Sequence, residues 1–277
     1  MGKWTSKEMK ELADRYQKLL RLTSYPVAVK MFSDEKELEE IMQKTSAKPV
    51  EKNLTICQLL GVPRFWNMPT GATQKNLSMC IPGATAMGFR SMPEDYPDGY
   101  VGAYFVNEDI ARKTYATMPR FKDDQYIGMF CCPFSQMPVD PDVVLFYGYE
   151  TQILRLIQGY LYNKGNALEW DCCGEAGGCA DPIPGSLLKD KPMVALPCNG
   201  ARLLGWPSDE MLVMGIPANC LEEILEGMEY THRGFLRYPL PWQHLDWQIP
   251  PGLLSNVIHE GKGFFSPEEL KKLRKSD

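Results

Sequence analysis

The 277-residue chain lacks most of the patterns by which a sequence declares its chemistry. It has no GxxxxGK[ST] loop, which excludes a P-loop nucleotide site, and no GxGxxG after a strand-like run. It has no GxSxG elbow of the kind that presents a serine nucleophile. Histidine is scarce: His232, His244 and His259 all fall in the last quarter of the chain and form no HExxH pair. CxxC is also absent, which argues against zinc ribbons, thioredoxin-type dithiols and the ferredoxin CxxCxxC run. No apolar run approaches the ~20 residues needed to cross a bilayer. A net charge of −5 leaves no excess of Lys and Arg for a nucleic-acid surface. The first residues, MGKWTSKEMKELADRY, are too charged and amphipathic for a secretory signal, so a cytoplasmic protein without a membrane partner is expected.

What the chain does carry is cysteine, nine in all. That is too few for a disulfide scaffold at this length, and an odd number. In a reducing compartment such clusters more often bind metal or act catalytically. Three of the nine lie in "CCGEAGGC", residues 172–179. Cys57 precedes QLLGVPRFW, Cys80 precedes IPGATAMGF, and Cys179 precedes ADPIPGSLL. Each of these stretches could begin a helix, whose free N–H groups and partial positive charge favour thiolate over thiol. Thiolates so placed suit an iron–sulfur cluster, whose sulfurs accept backbone N–H bonds. Gly174, Gly177 and Gly178 would let the backbone fold inward as a nest around an anion. The plainer account is that free cysteine packs as a small hydrophobe, and Cys220 in "PANCLEEIL" is read that way. The vicinal pairs Cys131–Cys132 and Cys172–Cys173 make poor disulfides, because neighbouring Cα atoms stand ~3.8 Å apart and bridged ones need about 4.4–6.8 Å.

Local patterns supply a framework. Thr5 and Glu8 form a capping box ahead of Met9, Leu12, Tyr16 and Leu19, predicting a helix over 5–22. Further helices are predicted at 33–44, 107–118 (capped by Asn107), 150–163 and 219–229. Short apolar runs at 25–32, 100–105, 126–131, 142–148 and 193–197 read as strands. The alternation indicates an α/β or α+β fold, a mixed β-sheet flanked by helices. It forms one compact domain over 1–277, with two lobes over about 1–165 and 166–277 as the alternative. A Pro- and Trp-rich strap near residue 240, anchored by Trp242 and Trp247, and a helix opened by Ser266 and Pro267 are expected to follow.

Seven segments taken in order, PVAVKMF, ICQLL, CIPGATAMG, VNEDIARKTYATMPRF, PDVVLFYGYETQILRLIQ, GGCADPI and DEMLVMGIPANCLEEILEG, resemble the family known as domain of unknown function 169. The resemblance covers most of the chain. It implies a prokaryotic protein of a family frequent in anaerobes and archaea, with no agreed substrate. It supports cysteines at positions 57, 80 and 179, whereas Cys131, Cys132, Cys172, Cys173 and Cys198 stand where other residue types are expected.

The expectation is therefore a 4Fe-4S protein with Cys57, Cys80 and Cys179 as ligands and a fourth from Cys132, Cys172, Cys173 or Cys198. An open iron would make it a redox or Lewis-acid enzyme on an unknown small molecule, or the protein would serve an electron-transfer partner. The alternative is a non-catalytic accessory protein holding zinc on the same thiolates. Arg202 is a candidate to hold an anionic substrate, against an ordinary ion pair with Asp209 or Glu210. Whether the chain forms a homo-oligomer is left open.

Overall fold

The computed structural model describes residues 3–233 and the single position 268. The proline-rich strap, His244, His259 and, apart from position 268, the helix expected at 266–275 lie outside the described residues.

Within them, helix α1 (Ser6–Leu20) begins where the Thr5–Glu8 capping box closes, and α5 (Glu108–Ala116) begins where the Asn107 side chain accepts the Ile110 N–H. Helix α2 (Glu35–Lys44) is capped by Asp34. Helices α3 (Ile56–Trp66), α4 (Ile81–Ala86), α6 (Glu150–Leu161), α7 (Ser186–Lys189), α8 (Asn199–Gly205) and α9 (Leu221–Arg233) complete the helical set. The strands are β1 (Val27–Phe32), β2 (Lys48–Pro49), β3 (Thr70–Thr73), β4 (Gly128–Pro133), β5 (Val143–Gly148), β6 (Met193–Ala195) and β7 (Leu212–Pro217). They form one sheet in the order β2-β3-β4-β1-β5-β7-β6. Every neighbouring pair is antiparallel except β2–β3, so the sheet is mixed by a single two-residue pairing. Strands from both sides of residue 165 share it, β7 pairing with β5 over six residues.

Period-two alternation divides the core into two. Ala28, Phe130, Cys132, Val144, Phe146, Met214 and Ile216 point to one face, where α1, α6 and α9 cover them. Val27, Val29, Cys131, Val143, Leu145, Tyr147 and Val213 point to the other, against α3, α4 and the segment 176–183.

Three strands, β2, β3 and β7, were not evident from pattern, and one expected strand is absent. Tyr100–Phe105 is not a strand: Pro97 opens a short 3-10 turn over Pro97–Tyr100, Gly102 takes φ +82°, and the apolar residues are spent on packing Tyr100 and Phe105 against Tyr115 of α5. The run LVMGIP became β7 although glycine interrupts it. A Cβ at Gly215 would lie 1.8 Å from the Pro182 carbonyl oxygen, so the glycine marks a close backbone crossing within a strand. Strand β3 carries its own glycine, Gly71, under Met42.

Candidate functional site

Four segments deliver cysteines to the same place. Thr55 accepts the Gln58 N–H at 3.2 Å while the Gln58 side chain accepts the Thr55 N–H at 3.0 Å. This capping box starts α3 and fixes Cys57 in its first turn. Cys80 is the N-cap of α4 and Cys198 the N-cap of α8. Cys179 sits in the turn that leads into a π-helical stretch, Asp181–Gly185, where Pro182 and Pro184 disrupt ordinary helical bonding.

Small residues permit the convergence. A Cβ built at Gly83 would lie 3.5 Å from Cys80 Sγ and 3.5 Å from Cys179 Sγ, so these two sulfurs are at most twice that distance apart. A Cβ at Gly178 would stand 2.6 Å from Ala201 Cβ and 3.7 Å from Cys57 Sγ, and one at Gly177 would meet the Leu196 carbonyl oxygen at 2.1 Å. The double glycine is what lets the 172–179 turn press against the β6–α8 connection. The four cysteines line a cavity of about 150 Å³. Its polar wall includes Tyr96, Tyr100, Tyr104, Glu175 and Asn199, and among the described residues no Lys, Arg or His lines it. Tyr96 and Tyr100 share a hydroxyl hydrogen bond of 2.7 Å, and Asn199 Nδ2 donates to the Tyr104 hydroxyl at 2.6 Å, tying the tyrosine loop to α8.

The local polarity is unusual. Backbone N–H groups of Gly83 and of Ala201 and Gly178 are directed at the sulfurs of Cys80 and Cys198. Burial nevertheless pushes the Cys80 thiol up to about 11 and raises Cys198 as well. The Cys179 thiol donates to the Ala176 carbonyl at 3.5 Å. Its interaction with Cys57 lowers the Cys57 thiol and, with burial, raises Cys179 well above an ordinary thiol. Glu175 is raised by burial, and the Tyr115 hydroxyl, which shares the field of Glu175, Tyr100, Cys173 and Cys80, is buried with no hydrogen-bond partner. Asp181 Oδ2 is similarly buried and unpartnered. A buried cation on the same face, Arg64 on α3, is held between the rings of Tyr147 (4.1 Å) and Phe65 (4.5 Å) and donates to the Gly205 carbonyl. Among the described residues, no three His, Cys, Asp or Glu side chains are arranged to hold one metal ion as they stand. The sulfurs surround a space rather than converge on a point.

The expected cysteines thus separate clearly. Cys57, Cys80, Cys179 and Cys198 share the cavity. Cys132 does not join them: on β4 it is consecutive with Cys131, so it faces the opposite core, among the α1, α6 and α9 side chains. Cys172 is exposed, and Cys173 turns back to donate to the Glu175 carbonyl at 2.9 Å, so neither lines the cavity. Arg202 donates to the Ser208 carbonyl at 2.7 Å and pairs with Asp209 at 3.7 Å, away from the cavity wall. Sequence reasoning missed the tyrosine wall and Glu175. The Tyr96–Tyr100–Tyr104 spacing was the available signal, since in a compact turn every fourth residue returns to one side.

The sequence profile of uncharacterised proteins described as "Uncharacterised ArCR" (domain of unknown function 169) matches residues 15–227. The chain belongs to this family. The DUF169 region includes all four cavity cysteines and stops short of the C-terminal segment. An uncharacterised protein of Methanocaldococcus jannaschii, MJ0308, is 29% identical over 227 residues, covering 80% of this chain and 94% of its own. No solved structure matches the chain. No helix among the described residues of this DUF169 member is long and apolar enough to cross a membrane.

Proposed function

We propose that this protein binds a four-iron, four-sulfur cluster through Cys57, Cys80, Cys179 and Cys198 and uses it in electron transfer. The observation that carries the reading is the gathering of four cysteines from four distant segments around one cavity with no basic residue in its wall among the described residues. Four thiols, Glu175 and three tyrosines make a wall that can only become more negative, so its natural occupant is cationic iron or a metal cluster. A tetrahedral zinc with ~2.3 Å bonds would need its sulfurs about 3.8 Å apart, a convergence absent among the described residues. A multi-iron cluster, in which each thiolate would hold a different iron, would suit a wider ring of sulfurs better than a single ion would.

The chain's own residues have defined roles in this reading. The N–H groups of Gly83, Gly178 and Ala201 donate to ligand sulfur and would raise the potential of anything bound there. The Tyr96–Tyr100–Tyr104 wall narrows access to the cavity, and the buried Tyr115 hydroxyl offers a donor with no acceptor among the described residues. When bound, a cluster of this kind supplies one-electron chemistry. With a cysteine on every iron no coordination site is left for substrate, which favours electron transfer over Lewis-acid catalysis.

The test is anaerobic purification followed by iron, acid-labile sulfide and zinc analysis. About four irons and four sulfides per chain, with an electron paramagnetic resonance signal on reduction, are expected. One zinc and no iron would overturn the reading in favour of the accessory-protein alternative.

A further inference from the structure

We propose that the C-terminal ends of α3 and α8 form a dimer interface, through which two copies of this chain associate about a two-fold axis. The inference is independent of any metal and rests on four exposed apolar side chains.

Helix α3 ends on Phe65 and Trp66, while α8 carries Leu203 and is closed by Trp206. Phe65 is 41% exposed, Trp66 60%, Leu203 74% and Trp206 59%. The Phe65 and Trp206 rings lie 6.3 Å apart. Leu203 stands three positions before Trp206, on the same side of α8, and Trp66 follows Phe65 directly. One apolar surface therefore spans both helix ends.

That surface is held in place before any partner arrives. A Cβ at Gly205 would lie 3.1 Å from Cys57 Cβ, so the glycine lets this end of α8 sit close against the first turn of α3. Arg64 donates to the Gly205 carbonyl at 3.3 Å and lies 4.5 Å from the Phe65 ring centre. Trp206 takes φ +52° at the C-cap of α8, a left-handed position that glycine ordinarily fills and bulky side chains seldom occupy. Rings fixed in this way lose little freedom on association.

Area and symmetry select the occupant. Aromatic side chains present roughly 150–250 Å² each, so at these exposures the four residues offer on the order of 500 Å². Typical monomers leave no single apolar patch beyond roughly 300–600 Å². Covering the surface on two copies removes about 1,000 Å² from water, the least a specific interface needs and short of the ~1,600 Å² of standard stable complexes. A reversible dimer with a dissociation constant on the order of micromolar fits that area. The patch has two halves, one on each helix. A two-fold axis sets Phe65 and Trp66 of one copy against Leu203 and Trp206 of the other, and the reverse, which closes the contact. The four side chains are uncharged, so two chains of net charge −5 can meet there without opposing like charges.

The experiment is sedimentation velocity on the full chain over roughly a hundredfold range of concentration centred near 10 µM. A shift from monomer to dimer is expected, and it should persist at high salt because the contact is apolar. Leu203→Glu should weaken the dimer by about tenfold or more, since it buries an unpaired carboxylate. Trp206→Gly suits the left-handed backbone and should fold like the wild type by circular dichroism, yet dimerise more weakly by about tenfold or more. A chain that stays monomeric throughout, or a dimer that neither variant weakens, overturns the proposal. Photocrosslinking identifies what covers the patch. With Leu203 replaced by benzoylphenylalanine, light should join two chains, the adduct lying on α3 of the second. A link within one chain to residues 234–277 would make the cover the chain's own C-terminal segment and would overturn the dimer.

Discussion

The two faces of the central sheet are built from different materials. The face covered by α1, α6 and α9 is packed with Leu, Ile, Phe and Met, and its buried polar groups are paired. Tyr16 donates to the Leu221 carbonyl at 2.6 Å, Gln152 to the Leu20 and Arg21 carbonyls at 3.0 Å, and Arg155 to the Met228 carbonyl at 2.7 Å. The face covered by α3, α4 and residues 176–183 is rich in small residues, prolines and thiols. There Thr85, Tyr115 and Asp181 each bury a polar atom without a partner. An unpaired buried polar group costs about 1–3 kcal/mol, so the second face gives up stability that the first retains. Sites for chemistry carry such costs, and under the proposed function the second face is the working side of the sheet.

The largest effect that would sharpen this contrast concerns Cys131's neighbour and Cys179. Cys179→Ser should remove iron and sulfide from anaerobically purified protein essentially completely, while Cys132→Ser, on the opposite face, should leave both at the wild-type level. Equal loss in the two variants would erase the distinction between faces.

On the structural face the expected damage is to stability. Phe146 is fully buried and packs 4.8 Å from the Tyr16 ring. Phe146→Ala should cost about 3–5 kcal/mol in denaturant unfolding, through lost transfer energy and the cavity left behind. The fraction that remains folded should keep its cavity thiols in place, measured as unchanged Cys57 reactivity.

On the working face, stability should depend on pH. Burial, reinforced by the charge of Asp171, raises the Asp181 carboxyl to about 6 from 3.8. The folded state thus favours the protonated form. Stability from this group is fully present below about pH 4, declines as pH rises through about 6, and is then constant. The span corresponds to roughly 3 kcal/mol for metal-free protein. Asp181→Asn should flatten that part of the profile. An unchanged pH profile in the variant would show that the carboxyl is not the group responsible.

The smallest effect separates two tyrosines. Tyr16→Phe removes the buried hydrogen bond to the Leu221 carbonyl and should cost about 1–2 kcal/mol. Tyr115→Phe removes a hydroxyl that has no partner and should change metal-free stability by less than about 0.5 kcal/mol, or increase it. A large loss at Tyr115 would mean that its hydroxyl is satisfied in solution.

The parts of this molecule that were legible in sequence are those governed by neighbours along the chain. The Thr5–Glu8 box and the Asn107 cap located two helices to within two residues, because capping is settled by groups three positions apart. Alternation and apolar runs located β1, β4, β5 and β6, and motif order alone identified the family. Tertiary structure decided the rest. Tyr100–Phe105 has the composition of a strand but is drawn off by aromatic packing on α5, and β7 is a strand despite a glycine that only the crossing at Pro182 explains. Which cysteines meet was likewise not written locally. Cys131 and Cys132 are sent to opposite cores by the pleat of β4, while Cys57, Cys80, Cys179 and Cys198 are drawn together by α3, α4, α8 and a glycine-rich turn packing on one face. Caps and periodicities act within a turn or two of chain. The meeting of thiols from four separate segments is fixed by how those elements pack, which no short stretch contains.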